Sequence, residues 1–133
     1  MGAYVANQLI KAMIKRRIQI EGSRVLVMGF AFKENCPDLR NTRVVDILVE
    51  LQDYNCAVDV YDPWVSVAES QHEYGITPIL KPESGAYDGI ILAVGHHQFE
   101  AMGLEVIRGF GAPNHVLYDL KYIFTADATD LRL

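Results

Sequence analysis

The sequence predicts a doubly wound, Rossmann-like parallel sheet in three α/β/α layers, preceded by an N-terminal helix. Short apolar runs of β-forming residues recur at 24–29 (RVLVMG), 89–94 (GIILAV) and 116–118, the pattern of strands covered on both faces. Between them lie segments whose apolar residues repeat at three and four spacing, as on one face of a helix. Strand and helix patterns alternate along the whole chain, which argues crossover connections and a parallel sheet.

The opening segment carries Val5, Leu9, Ile10, Met13 and Ile14 on one side and Lys11, Lys15, Arg16 and Arg17 on the other. This is an amphipathic helix, expected to end at Glu21-Gly22. No Ser, Thr, Asp or Asn precedes it as a cap, so it is expected to be the tail of a longer helix and the chain a fragment. Residues 24–29 form the first strand. A polar stretch, 30–41, leads to Thr42, which precedes Val44, Val45, Ile47, Leu48 and Leu51 as the cap of a second helix closed by Asn55.

Residues 57–61 (AVDVY) alternate as a strand and halt at Asp62-Pro63. A polar helix from about 65 to 74 stops at Gly75. Residues 76–80 are expected as a short or edge strand, 89–94 as a buried strand, 99–110 as a helix, 109–114 as a turn-rich connection and 116–118 as a strand. No internal repeat or low-complexity tract interrupts this order.

Half of the 133 residues are hydrophobic and 22% are charged, so disorder and a disulfide scaffold both fit poorly. The net charge of −5 offers nothing that gathers nucleic acid or anionic lipid, and no apolar run is long enough to cross a membrane. Two cysteines without a framework fit a reducing compartment, and a cytoplasmic location is expected.

In an open α/β sheet, ligands collect beyond the carboxyl ends of the strands. The first such loop reads Gly29-Phe30-Ala31-Phe32-Lys33-Glu34, which is neither G-x-G-x-x-G nor a Walker loop. A self-contained NAD site is therefore not expected, and phosphate binding has to come from side chains. Lys33 and Arg40 lie in the loop and Arg43 opens the following helix, whose amide-rich N-terminus favours an anion. The alternative is ordinary surface pairing of Lys33 with Glu34 or Asp38, and of Arg40 with Asp38.

The run GFAFKENCPDLRNTRVVDI at 29–47, with VDVYDPWV at 58–65, YDGIILAVGH at 87–96 and LYDLKYIF at 117–124, resembles the C-terminal domain of the UDP-glucose/GDP-mannose dehydrogenase family. The opening MGAYVANQLIKAM resembles the end of that family's interdomain helix, so the resemblance covers essentially the whole chain. It implies a boundary near residue 21, with 1–21 ending the interdomain helix and 22–133 forming the UDP-binding domain. The wording of 35–42 and Trp64 after Asp62-Pro63 are most similar to the UDP-N-acetylhexosamine 6-dehydrogenases of bacterial surface-polysaccharide synthesis, the Vi-antigen type among them.

What the resemblance implies is an NAD-dependent enzyme that oxidises the C6 alcohol of a UDP-sugar to a carboxylate in two steps on a catalytic cysteine. That cysteine and the NAD-binding domain lie outside this chain, so no catalytic residue is expected here and the domain alone should not turn over. Phe32 and Lys33 match the family's Phe-Lys pair that meets the substrate. Arg40 matches the arginine that reaches toward NAD. Lys121 falls near a position where relatives carry a basic residue toward the substrate. The partners implied are the UDP-sugar, the remaining domains and a second copy in the full-length homodimer.

Other groups fit chemistry less well. Cys36 shares the loop with Lys33 and Arg40 but lies outside the family's Gly-rich cysteine motif, and Cys56 reads as a buried small residue. His96 and His97 lack companions at metal-ligand spacing and are expected to cap a helix or face solvent. Asp62 is expected to form the Asp-Pro turn and Trp64 to pack. The competing functions are a free-standing nucleotide or nucleotide-sugar binding module, and a receiver-like signalling domain, which the cationic first loop fits poorly.

Overall fold

A computed structural model describes residues 2–133. Its elements are α1 (Gly2–Lys15), β1 (Arg24–Met28), α2 (Val44–Asp53), β2 (Ala57–Tyr61), α3 (Val67–Tyr74), β3 (Tyr87–Leu92), α4 (His97–Met102), α5 (Leu104–Phe110), β4 (Gly111–Asp119), a single 3-10 turn (Ala126–Ala128) and β5 (Leu131–Arg132). The five strands form one parallel sheet in the order β2-β1-β3-β4-β5.

Alternate residues of each strand feed opposite faces. Val25, Val27, Ile91, Val116 and Tyr118 meet Val5, Leu9 and Met13 of α1 and Ile47, Leu48 and Leu51 of α2. Leu26, Met28, Ile90, Leu92 and Leu117 meet Phe99 of α4 and Ile107 and Phe110 of α5. Both faces of β1 and β3 are covered, which is why the runs at 25–29 and 89–94 read as continuously apolar.

Several boundaries differ from the sequence reading, each for a local reason. Met1, which that reading includes in the first helix, lies outside the described residues. The helix stops at Lys15 and does not run to Glu21-Gly22. Arg17 takes φ 62°, Arg17 N–H bonds Ile14 O at 2.9 Å and Ile18 N–H bonds Met13 O at 3.0 Å, closing the helix without a glycine. The same closure ends α2 at Asn55, where φ is 65°, Asn55 N–H bonds Gln52 O at 2.9 Å and Cys56 N–H bonds Leu51 O at 3.2 Å.

Arg43, not Thr42, occupies the N-cap of α2. Thr42 sits one residue outside, its Oγ1 accepting from Val44 N–H at 3.3 Å and donating to Phe30 O at 2.7 Å. Residues 76–80 form no strand; Ile79 N–H bonds Val60 O at 2.7 Å, tying the segment to β2 without a ladder. The expected helix at 99–110 is two helices, broken where Gly103 takes φ 90°. The turn-rich 109–114 stretch is divided between α5 and a longer β4, whose pairing with β3 shifts register between Tyr87 and Gly89. β5 is an element the sequence reading did not contain.

In this strand order the chain leaves β1 and β3 toward opposite edges, so the loops after these two neighbours diverge and leave a crevice between them.

Candidate ligand cleft at the strand switch point

The loop after β1 is anchored at its root, middle and end. At the root, Phe30 N–H and Ala31 N–H donate to Asp62 Oδ2 at 2.7 and 2.9 Å. In the middle, Asn35 N–H donates to His96 Nδ1 at 2.9 Å, and Asn35 Oδ1 accepts from His97 N–H at 2.9 Å. At the end, Tyr74 O–H donates to Leu39 O at 2.6 Å while its ring meets Phe30 edge-on at 5.4 Å. Phe30, Ala31 and Leu39 are buried, which leaves Phe32, Lys33 and Glu34 as the exposed apex of a pinned loop.

That apex borders a cleft of about 200 Å³ lined by residues 31–34, Arg43, Val44, Ala93, Val94 and Lys121. The cleft sits at the N-terminus of α2, in the crevice between the loops after β1 and β3. Three cationic residues, Lys33, Arg43 and Lys121, and one carboxylate, Glu34, line it. Phe32 is half exposed and supplies an aromatic wall. A smaller, more apolar hollow adjoins it, sharing Arg43, Val44, Ala93 and Lys121 and extending to Leu120 and Leu133. Dispersed cations, a helix N-terminus and an adjacent apolar recess fit an anion carrying a flat or hydrophobic group.

A broader hollow of about 600 Å³ lies at the opposite ends of the strands, lined by 18–19, 21–23, Asp88 and 112–114. It holds Glu21 and Asp88 and no Lys or Arg, so it repels the anion that the Lys33 cleft attracts. Size alone does not decide between the two; charge does.

The structure thus brings Phe32, Lys33 and Lys121 to one cleft and leaves Arg40 outside its lining. Arg40 forks onto Asp38, Nε to Oδ1 and Nη2 to Oδ2, each at 3.1 Å, with its side chain 86% exposed. The Arg40–Asp38 pairing weighed at the sequence level is therefore present. Among the described residues Lys33 has no ion-pair partner, so its alternative pairing with Glu34 or Asp38 is absent. Cys36 is half-buried in the loop. Cys56 is buried, accepts from Ser23 Oγ at 3.3 Å, and has its thiol pushed up by that burial.

His96 differs from the sequence expectation. Its backbone does occupy the N-cap of α4, but the ring neither caps the helix nor faces solvent. It is fully buried, with Nε2 2.9 Å from Asp62 Oδ2. Asp62 makes the expected turn, Oδ1 accepting from Trp64 N–H at 2.8 Å, and also holds the loop after β1. Burial alone would raise its carboxyl; His96 and the amides of Phe30, Ala31 and Trp64 overcome this and hold it below the usual carboxylate range. Trp64 packs beside both histidines, ring centres 6.1 Å apart, with Nε1 donating to Gln98 Oε1 at 2.8 Å. The signal for this network was that Asp62 and His96 each follow a strand, because parallel strands bring their carboxyl ends to one edge.

Residues 26–126 match the model of the UDP-glucose/GDP-mannose dehydrogenase family, UDP binding domain. The chain belongs to that family. A UDP-N-acetyl-D-glucosamine 6-dehydrogenase of Pseudomonas aeruginosa is 65% identical over 133 residues, all of this chain and 32% of the relative. A protein of the same name from Salmonella typhi is 59% identical over the same span, 31% of its length. The chain therefore spans about a third of the curated relatives it matches.

Among solved structures, an NDP-N-acetyl-D-galactosaminuronic acid dehydrogenase from Methanosarcina mazei superposes with a TM-score of 0.79 at 20% identity, over 98% of this chain and 28% of its own. A UDP-D-ManNAc dehydrogenase from Pyrococcus horikoshii gives 0.75 at 22% identity, over 98% of this chain and 30% of its own. These likenesses show that this chain shares a Rossmann-like fold with the matching parts of those proteins. No helix of the described residues is long and apolar enough to cross a membrane.

Proposed function

We propose that this chain binds the uridine diphosphate part of a UDP-sugar in the Lys33 cleft, as the C-terminal part of an NAD-dependent nucleotide-sugar 6-dehydrogenase. The observation that carries the reading is the convergence of Lys33, Arg43 and Lys121 at the N-terminus of α2, where the strand order reverses. Lys33 and Lys121 neutralise the diphosphate as point charges, α2 adds the positive end of its dipole, and Phe32 covers the ligand from the loop side. The relatives at 65% and 59% identity are named for UDP-N-acetyl-D-glucosamine, and we take a UDP-N-acetylhexosamine as substrate, oxidised at C6 to the uronic acid for surface-polysaccharide synthesis.

The loop after β1 does not fit the pyrophosphate of NAD. Ala31 and Glu34 stand where a dinucleotide loop carries its second and third glycines, so bare backbone is not presented to a pyrophosphate. NAD binding is therefore assigned to the remaining domains of the enzyme. Arg40, an exposed fork at the edge of the site, is the residue of this chain proposed to reach it. The family resemblance supports a homodimeric full-length enzyme, a boundary near residue 21 and a catalytic cysteine outside this chain. Two free cysteines fit a cytoplasmic setting.

Calorimetric titration of the chain with UDP, UDP-N-acetylglucosamine, GDP-mannose and NAD tests the reading. Uridine-selective heat with none from NAD is expected; tighter binding of GDP-mannose or NAD would overturn it.

A further inference from the structure

We propose that Asp62 and His96 form a buried strut that sets the position of the loop apex carrying Phe32 and Lys33, and so act as positioning residues for the ligand in the cleft. The inference rests on the reading of that cleft as the nucleotide site. Neither side chain is exposed to solvent, and their contact joins the ends of β2 and β3 at 2.9 Å. From this pair, hydrogen bonds reach the loop after β1 at three points: Asp62 Oδ2 takes Phe30 N–H and Ala31 N–H, and His96 Nδ1 takes Asn35 N–H.

Because Asn35 N–H donates to Nδ1, that nitrogen carries no proton and Nε2 carries the ring's one N–H, donated to Asp62. Each ring nitrogen has a single task. Nε2 compensates a buried carboxylate, and Nδ1 ties down the residue two positions after Lys33. Asn35 takes φ 56°, a left-handed turn for a non-glycine residue, and its side chain is held by His97 N–H at 2.9 Å and His97 Nδ1 at 2.8 Å. The turn that aims the apex is thus fixed from both its backbone and its side chain by the residues that follow β3.

The two tasks can be separated, because an Asn oxygen overlays Nδ1 and a Gln nitrogen overlays Nε2. The experiment uses the intact dehydrogenase carrying His96→Ala, His96→Asn, His96→Gln or Lys33→Ala. His96→Ala and His96→Gln are expected to raise KM for the UDP-sugar about tenfold with KM for NAD unchanged. His96→Asn is expected to rescue most of that loss while unfolding at a lower temperature than His96→Gln. Amide exchange at 33–35 in this chain should quicken in His96→Gln and not in His96→Asn.

KM changes that follow thermal stability across the three His96 variants, or unaltered exchange at 33–35 in His96→Gln, would overturn the proposal. Lys33→Ala separates the two claims. If it leaves the UDP-sugar KM unchanged, the cleft reading fails, and exchange at 33–35 alone decides whether His96 positions the loop.

Discussion

Gly29 and Val94 are in such close contact that a Cβ on Gly29 would fall 2.6 Å from Val94 Cβ and 2.8 Å from Val94 N. This contact closes the floor of the crevice between the loops after β1 and β3, and Gly29 also takes φ 104°, which an L side chain resists.

Gly29→Ala therefore combines a clash with backbone and a strained φ. It is expected to destabilise the chain by about 2–3 kcal/mol, read as a lower urea midpoint with an unchanged m-value. A neutral result would mean that the crevice floor has room the structure does not show.

The first helix is part of this fold's core. Leu9 is fully buried on α1, against the β3 position of Gly89. Leu9→Ala should cost about 3 kcal/mol in equilibrium unfolding, with the whole chain unfolding in one transition. A loss confined to the helix, with the sheet unfolding as before, would show that α1 only rests on the domain.

Asp62 makes the chain acid-sensitive. Its carboxyl titrates below its ordinary value in the folded state, so its contribution to stability is fully present above pH about 4–5. That contribution falls as pH drops through the unfolded value toward the folded one, and is gone below it. Asp130 adds to the same limb: its burial is outweighed by Arg108, Leu117 N–H and Arg16. Asp62→Asn should lower stability at neutral pH by about 2–3 kcal/mol and flatten the unfolding free energy between pH 5 and 3. An unchanged acid slope in the variant would contradict the role given to Asp62.

Arg40 is expected to behave oppositely. Its pair with Asp38 is exposed, so Arg40→Ala should leave the unfolding midpoint of the chain unchanged and its affinity for UDP intact. In the intact dehydrogenase the same change should raise KM for NAD. A loss of UDP affinity would move Arg40 into the nucleotide cleft.

Strands buried on both faces were legible because nothing polar interrupts 25–28 or 89–94, and Gly75 marked the end of α3; its start was read near 65, two residues early, because Ser66 is the N-cap and Val67 the first helical residue. Two misread helix ends turn on backbone conformation that side-chain periodicity does not report. Arg17 closes a helix in a conformation that sequence reading reserves for glycine, while Gly103 breaks one inside a continuous apolar period. β5 is two residues long and has no pattern to detect.

At the site, Lys33 was legible from its charge in the loop after the first strand, whereas Lys121 was named only through the family resemblance; the two meet because both follow strands of one parallel sheet. The Asp62–His96 contact was not legible from either residue's local setting, since 34 residues separate its partners and each has a local role; only their shared place after parallel strands pointed to it. Arg40 shows the converse: its nearest carboxylate, two residues away, is the one it pairs with.

The central claim is a place, the cleft at Lys33, and amide chemical-shift mapping of the isotope-labelled chain during titration with UDP tests it most directly. Shifts are predicted at 31–34, 43–44 and 121, saturating together, and weakened about tenfold in affinity by Lys33→Ala. Shifts confined to 18–23 and 112–114, at the acidic ends of the strands, would contradict the account.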